Sequence, residues 1–221
     1  GQIPPDQFIE LAELSGAIQP LTRWVLREGL LAARRWRAAG HPLGLAINLS
    51  VRNLYDPELV PYVAEELSIS DLPSSELVLE LTETELMDDP GLAREIFTQL
   101  GDLGVGTAID DFGTGYSSLA YLQRLPVSEL KIDRSFVAGA DRSVEARALL
   151  KTIIDLGHSL AVHAVQERLR RGDADSDRGG LLASDDLDKQ VESVGAVVFE
   201  PSREGDAGHG SCVNFYAPNC N

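Results

Sequence analysis

Residues 77 to 110 read LVLELTETELMDDPGLAREIFTQLGDLGVGTAID, and this stretch holds one complete strand–helix–strand unit. Leu77 to Leu81 is a short apolar run interrupted by a single acid, Glu80, and its length suits a strand. Asp89-Pro90 then supplies a helix start, a capping side chain followed by proline at the first helical position. Leu92, Ile96, Leu100 and Leu103 recur at helical spacing, and Gly104 stops the helix before a second strand, Thr107 to Asp110. Two strands joined by a helical crossover run parallel, because the crossover returns the chain to the same end of the sheet.

The unit repeats on both sides. Upstream, Pro4, Pro5 and Asp6 open a helix containing Phe8, Ile9, Leu11 and Ala12, which Gly16 ends. A second helix is expected from Pro20 to Ala39, with Leu21, Val25, Gly29, Ala32 and Trp36 on one face and Gly40 as its stop. A strand, Leu45 to Asn48, follows, and Asp56-Pro57 opens a helix carrying Leu59, Val63 and Leu67. Downstream, a short helix near Ser117 to Leu122 precedes a strand, Glu129 to Ile132. A helix from Ser143 to Leu156, ended by Gly157, leads to a last strand, Ser159 to Val162. Five strands with helical crossovers predict an α/β fold built on a parallel sheet, either a (β/α) barrel or an open doubly wound sheet.

The polar residues decide between these. Asn48, Glu80, Asp110 with Asp111, and Lys131 each stand at the C-terminal end of a different strand. Barrel enzymes place their chemistry around that rim. A doubly wound sheet concentrates its site at one switch point, and no GxGxxG or Walker loop is present to serve one.

Side chains alternate along a strand, so Asn48 shares a face with Ala46, Glu80 with Val78 and Thr82, and Asp110 with Ala108. Small residues beneath polar ones leave room for a site in the barrel mouth. Asn48, Glu80 and Asp110 offer oxygen ligands from three consecutive strands, a donor set for Mg²⁺ or Mn²⁺ rather than zinc. Asp111 offers a carboxylate for a second ion, and two ions polarise a phosphodiester and activate water. Lys131 on the next strand offers a charge to neutralise an anion or orient that water. Singly, each has a local alternative: Asn48 as a loop cap, Asp110-Asp111 as an Asx turn, Lys131-Ile132-Asp133 as a strand end with a helix cap. Glu80 on an apolar strand resists such a reading, because a buried lone carboxylate is costly.

LAINLSV (45 to 51), LELTE (79 to 83), AIDDFGTGYSSLAYL (108 to 122) and LPVSELKIDRSFV (125 to 137) resemble, in order, the signature motifs of EAL domains. GQIPPDQFIELAELSG (1 to 16) is similar to the segment that follows the family's name motif. The resemblance covers residues 1 to 162 and implies a (β/α)8 TIM-like barrel of the EAL type. It implies hydrolysis of cyclic di-GMP to linear pGpG with Mg²⁺ or Mn²⁺, in the cytoplasm, as part of bacterial second-messenger signalling. By motif, Asn48, Glu80 and Asp110 match metal ligands, Asp111 the second-metal carboxylate and Lys131 the lysine at the catalytic water. Glu83 matches the glutamate that braces a mobile loop. Thr84 to Pro90 and the helix after DDFGTG resemble the family's dimer-forming region, so a homodimer is expected.

The chain also departs from that pattern. The glutamate-alanine-leucine motif belongs upstream of Gly1, so the barrel is expected to be incomplete. Where the family continues Val-Ala-Glu-Gly-Val-Glu, this chain reads His163-Ala164-Val165-Gln166-Glu167, which puts Val165 in the place of a catalytic glutamate. Glu167 lies two residues on, ~7 Å further along an extended strand, and is a poor substitute. His163 reads as a surface or core histidine, and the later glutamine-glycine-tyrosine motif has no counterpart. Residues 163 to 221 therefore read as a divergent acidic tail, partly disordered through RRGDADSDRGG. A helix is expected at Ser184 to Val194, a strand at Ala196 to Phe199, and little pattern from Arg203 onward. The substitutions predict impaired hydrolysis; the alternative is an inactive EAL-like module that binds cyclic di-GMP or a protein partner.

Composition sets the outer bounds. The 221 residues carry a net charge of −16, from 19 basic and 35 acidic residues. Such a chain repels nucleic-acid backbones and anionic membranes overall, so no polymeric nucleic acid is expected as a partner. No apolar run reaches the ~20 residues of a spanning helix, and no signal peptide is visible. Cys212 and Cys220 are the two cysteines, with no zinc-like spacing; they can pair or stay reduced.

Overall fold

The computed structural model describes residues 5–41, 43–115, 119–133, 135–136, 143–160, 163–166, 197–199 and 212–213. Two helices, α1 (Pro5–Ser15) and α2 (Ile18–Ala38), precede strand β1 (Gly44–Asn48). Helices α3 (Val51–Leu54) and α4 (Leu59–Ser70) cross to β2 (Leu77–Thr82), and α5 (Glu83–Asp88) and α6 (Pro90–Asp102) cross to β3 (Gly106–Phe112). Helix α7 (Leu119–Leu122) precedes β4 (Glu129–Ile132), and α8 (Val144–Ser159) leads to β5 (His163–Gln166). Two further strands, β6 (Val197–Phe199) and β7 (Cys212–Val213), complete a sheet ordered β5-β4-β3-β2-β1-β6-β7. Strands β1 to β5 pair parallel, each with its neighbour in sequence, whereas β6 lies antiparallel to β1, with Val198 beside Leu45.

The helix-facing side of the sheet carries the main core. Leu45, Ile47, Leu77, Leu79, Leu81 and Ile109 are all buried there with Leu26, Leu30, Phe97 and Leu100 from α2 and α6. Each fully buried leucine contributes roughly 2 kcal/mol. The opposite side carries a separate small cluster, Ala46, Val78 and Ala108. That division follows the parity expected from sequence, with the apolar odd-numbered positions of β1 and β2 outward and the small residues beneath Asn48, Glu80 and Asp110 inward. Gly104 ends α6 at φ +79°, and a Cβ there would stand 2.7 Å from Ser74 Oγ.

Three expectations are corrected. Strand β5 is His163–Gln166, and Ser159, where the strand Ser159 to Val162 was expected to begin, still belongs to α8, which continues past Gly157; residues 161 and 162 lie outside the described residues. A single glycine is tolerated inside a helix at a cost of about 1 kcal/mol, so Gly157 does not act as the stop. The buried face of α2 is rotated from the expected one: Ile18, Thr22, Leu26, Leu30 and Ala33 are buried with Gly29, Ala32 and Trp36, while Leu21 and Val25 are half-buried. Residues 163 to 166 extend the sheet as β5, and Cys212–Val213 pairs with β6 where little pattern was expected. On α1, Phe8, Ile9, Leu11 and Leu14 are exposed and Ala12 is buried. The expected helix at Ser184 to Val194, Glu167, the RRGDADSDRGG run and Cys220 lie outside the described residues. So do Pro4 and the start of the expected helix at Ser117.

Candidate active site at the strand ends

Parallel pairing brings the polar strand ends to one rim. Asn48 is the register partner of Glu80, and Asp110 the partner of Thr82, so Asn48, Glu80 and Asp110 stand on one face across three adjacent strands. Lys131 reaches back from β4 and joins two of them: Nζ donates to Glu80 Oε2 at 2.8 Å and to Asp110 Oδ2 at 3.4 Å. Lysine and glutamate are both almost fully buried, with side chains 6% and 2% exposed, and Asp110 is 17% exposed. Burial pushes the Glu80 carboxyl up to about 7; the Lys131 ammonium opposes that rise and the Asp110 charge adds to it. Asn48 is exposed at the mouth.

Asp111 occupies a position that alternation alone does not give. Ile109 pairs with Leu130 and Phe112 with Ile132, so β3 spends three steps where β4 spends two. The extra residue is a β-bulge. Strict alternation would put Phe112 on the face of Asp110, but the bulge returns it to the helix-facing core. Asp111 takes the left-handed conformation at φ +52°, which aspartate tolerates better than most residues. Its N–H donates to Asp110 Oδ1 at 3.0 Å, so the Asx-type local bond and the convergence on Lys131 coexist in one side chain.

Glu83 is buried at the start of α5 and accepts from the backbone of the next turn, from Gly113 N at 2.8 Å and Gly115 N at 3.1 Å. A Cβ at Gly115 would meet Glu83 Cδ at 2.9 Å, so this close approach requires glycine. The loop after LELTE is tied in turn. Thr82 and Glu85 form a capping box, and Glu85 also accepts from Val51 N at 3.3 Å, linking the ends of β1 and β2. A second capping box, Ser50 with Asn53, opens α3. Both boxes are readable as Ser/Thr followed three residues later by a polar partner, a signal that the motif-based reading passed over.

The donor chemistry fits a hard divalent cation. Two carboxylates converge on a single ammonium, and the third strand end offers an amide oxygen. Among the described residues no group of three His, Cys, Asp or Glu gathers closely enough to hold a metal ion by itself. An ion here would therefore draw further ligands from Asn48, Asp111, water or a substrate phosphate. The backbone register puts Val165 beside Lys131.

The model of the EAL domain matches residues 1–171. The chain belongs to the EAL domain family. As an EAL domain it is 43% identical over 168 residues to the bifunctional diguanylate cyclase/cyclic di-GMP phosphodiesterase MucR of Pseudomonas aeruginosa, covering 76% of this chain and 24% of that protein. It is 34% identical over 176 residues to the cyclic di-GMP phosphodiesterase PdeR of Escherichia coli, covering 80% of this chain and 27% of that protein. A solved structure of the MucR phosphodiesterase in complex with c-di-GMP superimposes with a TM-score of 0.71 at 37% identity, over 88% of this chain and 74% of that one. These neighbours give the EAL domain its TIM-barrel-like class. The chain spans between about a fifth and a quarter of the length of the first curated relatives it matches. Among the described residues no helix is long and apolar enough to cross a membrane.

Proposed function

We propose that this EAL domain binds cyclic di-GMP and a divalent cation, Mg²⁺ or Mn²⁺, at the rim of β1 to β4, and that its phosphodiesterase turnover is impaired by Val165. The observation that carries the reading is Lys131 Nζ held between Glu80 and Asp110, a cation seated between a buried and a half-buried carboxylate. Asn48, Glu80 and Asp110 would hold one ion, and Asp111 would serve a second. A bound divalent ion there would polarise the phosphodiester and make water a better nucleophile at neutral pH.

The protein's own groups have defined tasks in that reading. Glu80 contributes charge once ionised, which burial delays to near neutrality. Lys131 neutralises an anion or orients the attacking water, while its bond to Glu80 fixes the ammonium in place. Glu83 holds the turn after the bulge through two backbone N–H groups. Val165 lies beside Lys131 in the register, where the family resemblance places a glutamate. Replacing a carboxylate by an apolar group there lowers metal affinity and removes a base, which supports binding with impaired hydrolysis.

Incubation of the purified chain with cyclic di-GMP and Mn²⁺, read by chromatography for pGpG, tests the impairment. Calorimetry of cyclic di-GMP binding tests the site. The expected result is measurable binding with no detectable pGpG. Rapid pGpG production would overturn the impaired reading, and no binding at all would overturn the site.

A further inference from the structure

The segment just past Lys131 turns back on the acidic turn, and one side chain makes the contact. Asp133 N donates to Phe112 O at 3.4 Å, and Asp133 Oδ1 accepts from Ser135 N at 2.9 Å, so the chain bends at the end of β4. Phe136 N donates to Asp133 O at 3.2 Å, which delivers the phenyl ring over Gly113. There Gly113 has φ +102°, and a Cβ built on it would lie 2.7 Å from Phe136 Cε2 and 2.9 Å from Cζ. On the same residue the backbone N–H is already engaged by Glu83.

We infer that Phe136 is a positioning residue for the acidic turn. Its ring closes on Gly113 while Glu83 holds the backbone N–H groups of Gly113 and Gly115, so the turn following Asp110 and Asp111 is clamped by an aromatic ring and a carboxylate. This inference rests on the proposed cation site. The physical case is one of strain. Asp111 in the left-handed region costs of order 1–3 kcal/mol unless its surroundings over-determine it. Glu83 fixes two donors of the turn, and Asp133 N holds Phe112 O at its start, so the backbone of the turn is tied from both β2 and β4. Phe136 adds the side-chain constraint over Gly113, and its backbone follows the strand that bears Lys131. One ring therefore ties the lysine end of β4 to the carboxylate end of β3. It is half-buried and packed against the main core, with Ile153 of α8 also 3.5 Å from the Gly113 Cβ position, so it has a rigid backing.

The test compares Phe136→Ala and Phe136→Leu with Val63→Ala, a fully buried core residue of α4 outside the site. Three measurements are made on each 221-residue chain: thermal midpoint, Mn²⁺ affinity by calorimetry, and amide hydrogen exchange at Gly113 and Gly115 by NMR. Phe136→Ala is expected to weaken Mn²⁺ binding by about tenfold, the scale of an outer-shell positioning partner, and to speed exchange at both glycines. Phe136→Leu should lie between it and the unmodified chain. Val63→Ala should lower the thermal midpoint and leave affinity and glycine exchange unchanged. If exchange at the glycines does not respond to either Phe136 substitution, or if Val63→Ala loses affinity in proportion to its midpoint, the inference fails. If the unmodified chain binds no Mn²⁺, the cation site fails instead, and glycine exchange alone decides the clamp. Should Phe136→Ala not fold, Phe136→Leu decides by the same criteria.

Discussion

At the ends of β2, β3 and β4, Glu80, Asp110 and Lys131 form one hydrogen-bonded set; at the end of β5, the position beside Lys131 is Val165. Both regions belong to the same parallel sheet, and the β4–β5 register is as regular as that of β1–β2. The sheet is assembled by its helix-facing core and by backbone pairing, neither of which consults the rim. Valine suits a strand at least as well as glutamate does. The register of β5 therefore does not depend on which side chain stands beside Lys131.

The largest effect expected is at the intact rim. Lys131→Met removes the hydrogen-bond partner of a buried carboxylate and should cost about 3–5 kcal/mol at pH 8, measured by urea unfolding. Near pH 5.5, where Glu80 is protonated, the cost should fall well below that, because a neutral carboxyl needs no counter-charge. If the loss is equal at both pH values, Lys131 is acting through packing and not through Glu80.

Next in size is the unmodified chain's own pH response. Glu80 titrates at about 7 in the folded chain against the usual carboxylate range near 4.3 when unfolded. The folded state therefore holds a proton that the unfolded state has released, and stability declines as pH rises from about 4.5 to about 7, then levels off. The contribution is roughly 4 kcal/mol at the most, and Glu80→Gln should flatten it in a series of unfolding curves.

Val165→Glu tests the other side of the comparison. Mn²⁺ affinity should rise by more than the roughly tenfold that an outer-shell partner supplies, and pGpG should become detectable. A variant that gains neither would show that the β5 end stands too far from the ion for a carboxylate to matter. The smallest effect is expected for Thr82→Ala, which breaks the capping box with Glu85 and should cost about 1 kcal/mol in stability without a change in Mn²⁺ affinity. A large change in affinity would mean that the α5 loop shapes the site as well as bordering it.

Much of this rim is legible in the sequence. Ala46, Val78 and Ala108 beneath Asn48, Glu80 and Asp110 follow from alternation, and the convergence of the polar ends follows from parallel pairing. The roles read from the motifs remain for the metal and turnover assays to decide. What alternation could not supply was the bulge, since the extra residue between Ile109 and Phe112 exists only relative to β4. Two adjacent aspartates in sequence do not announce which one is out of step. The position of β5 was missed for a different reason, because Gly157 carries a helix-stopping propensity that the packing of α8 overrides. The clamp on Gly113 was hidden as well, since it depends on a bend at Asp133 that joins residues more than twenty apart in the chain.

The antiparallel seating of Val197–Phe199 on β1 has one more consequence. Each hydrogen-bonding group along that flank of Leu45 serves a single neighbour, so occupancy there is exclusive. Any polypeptide approaching in the opposite direction, whether from this chain or another, finds the flank already taken. It must first peel away three residues whose direction is reversed relative to the rest of the parallel array.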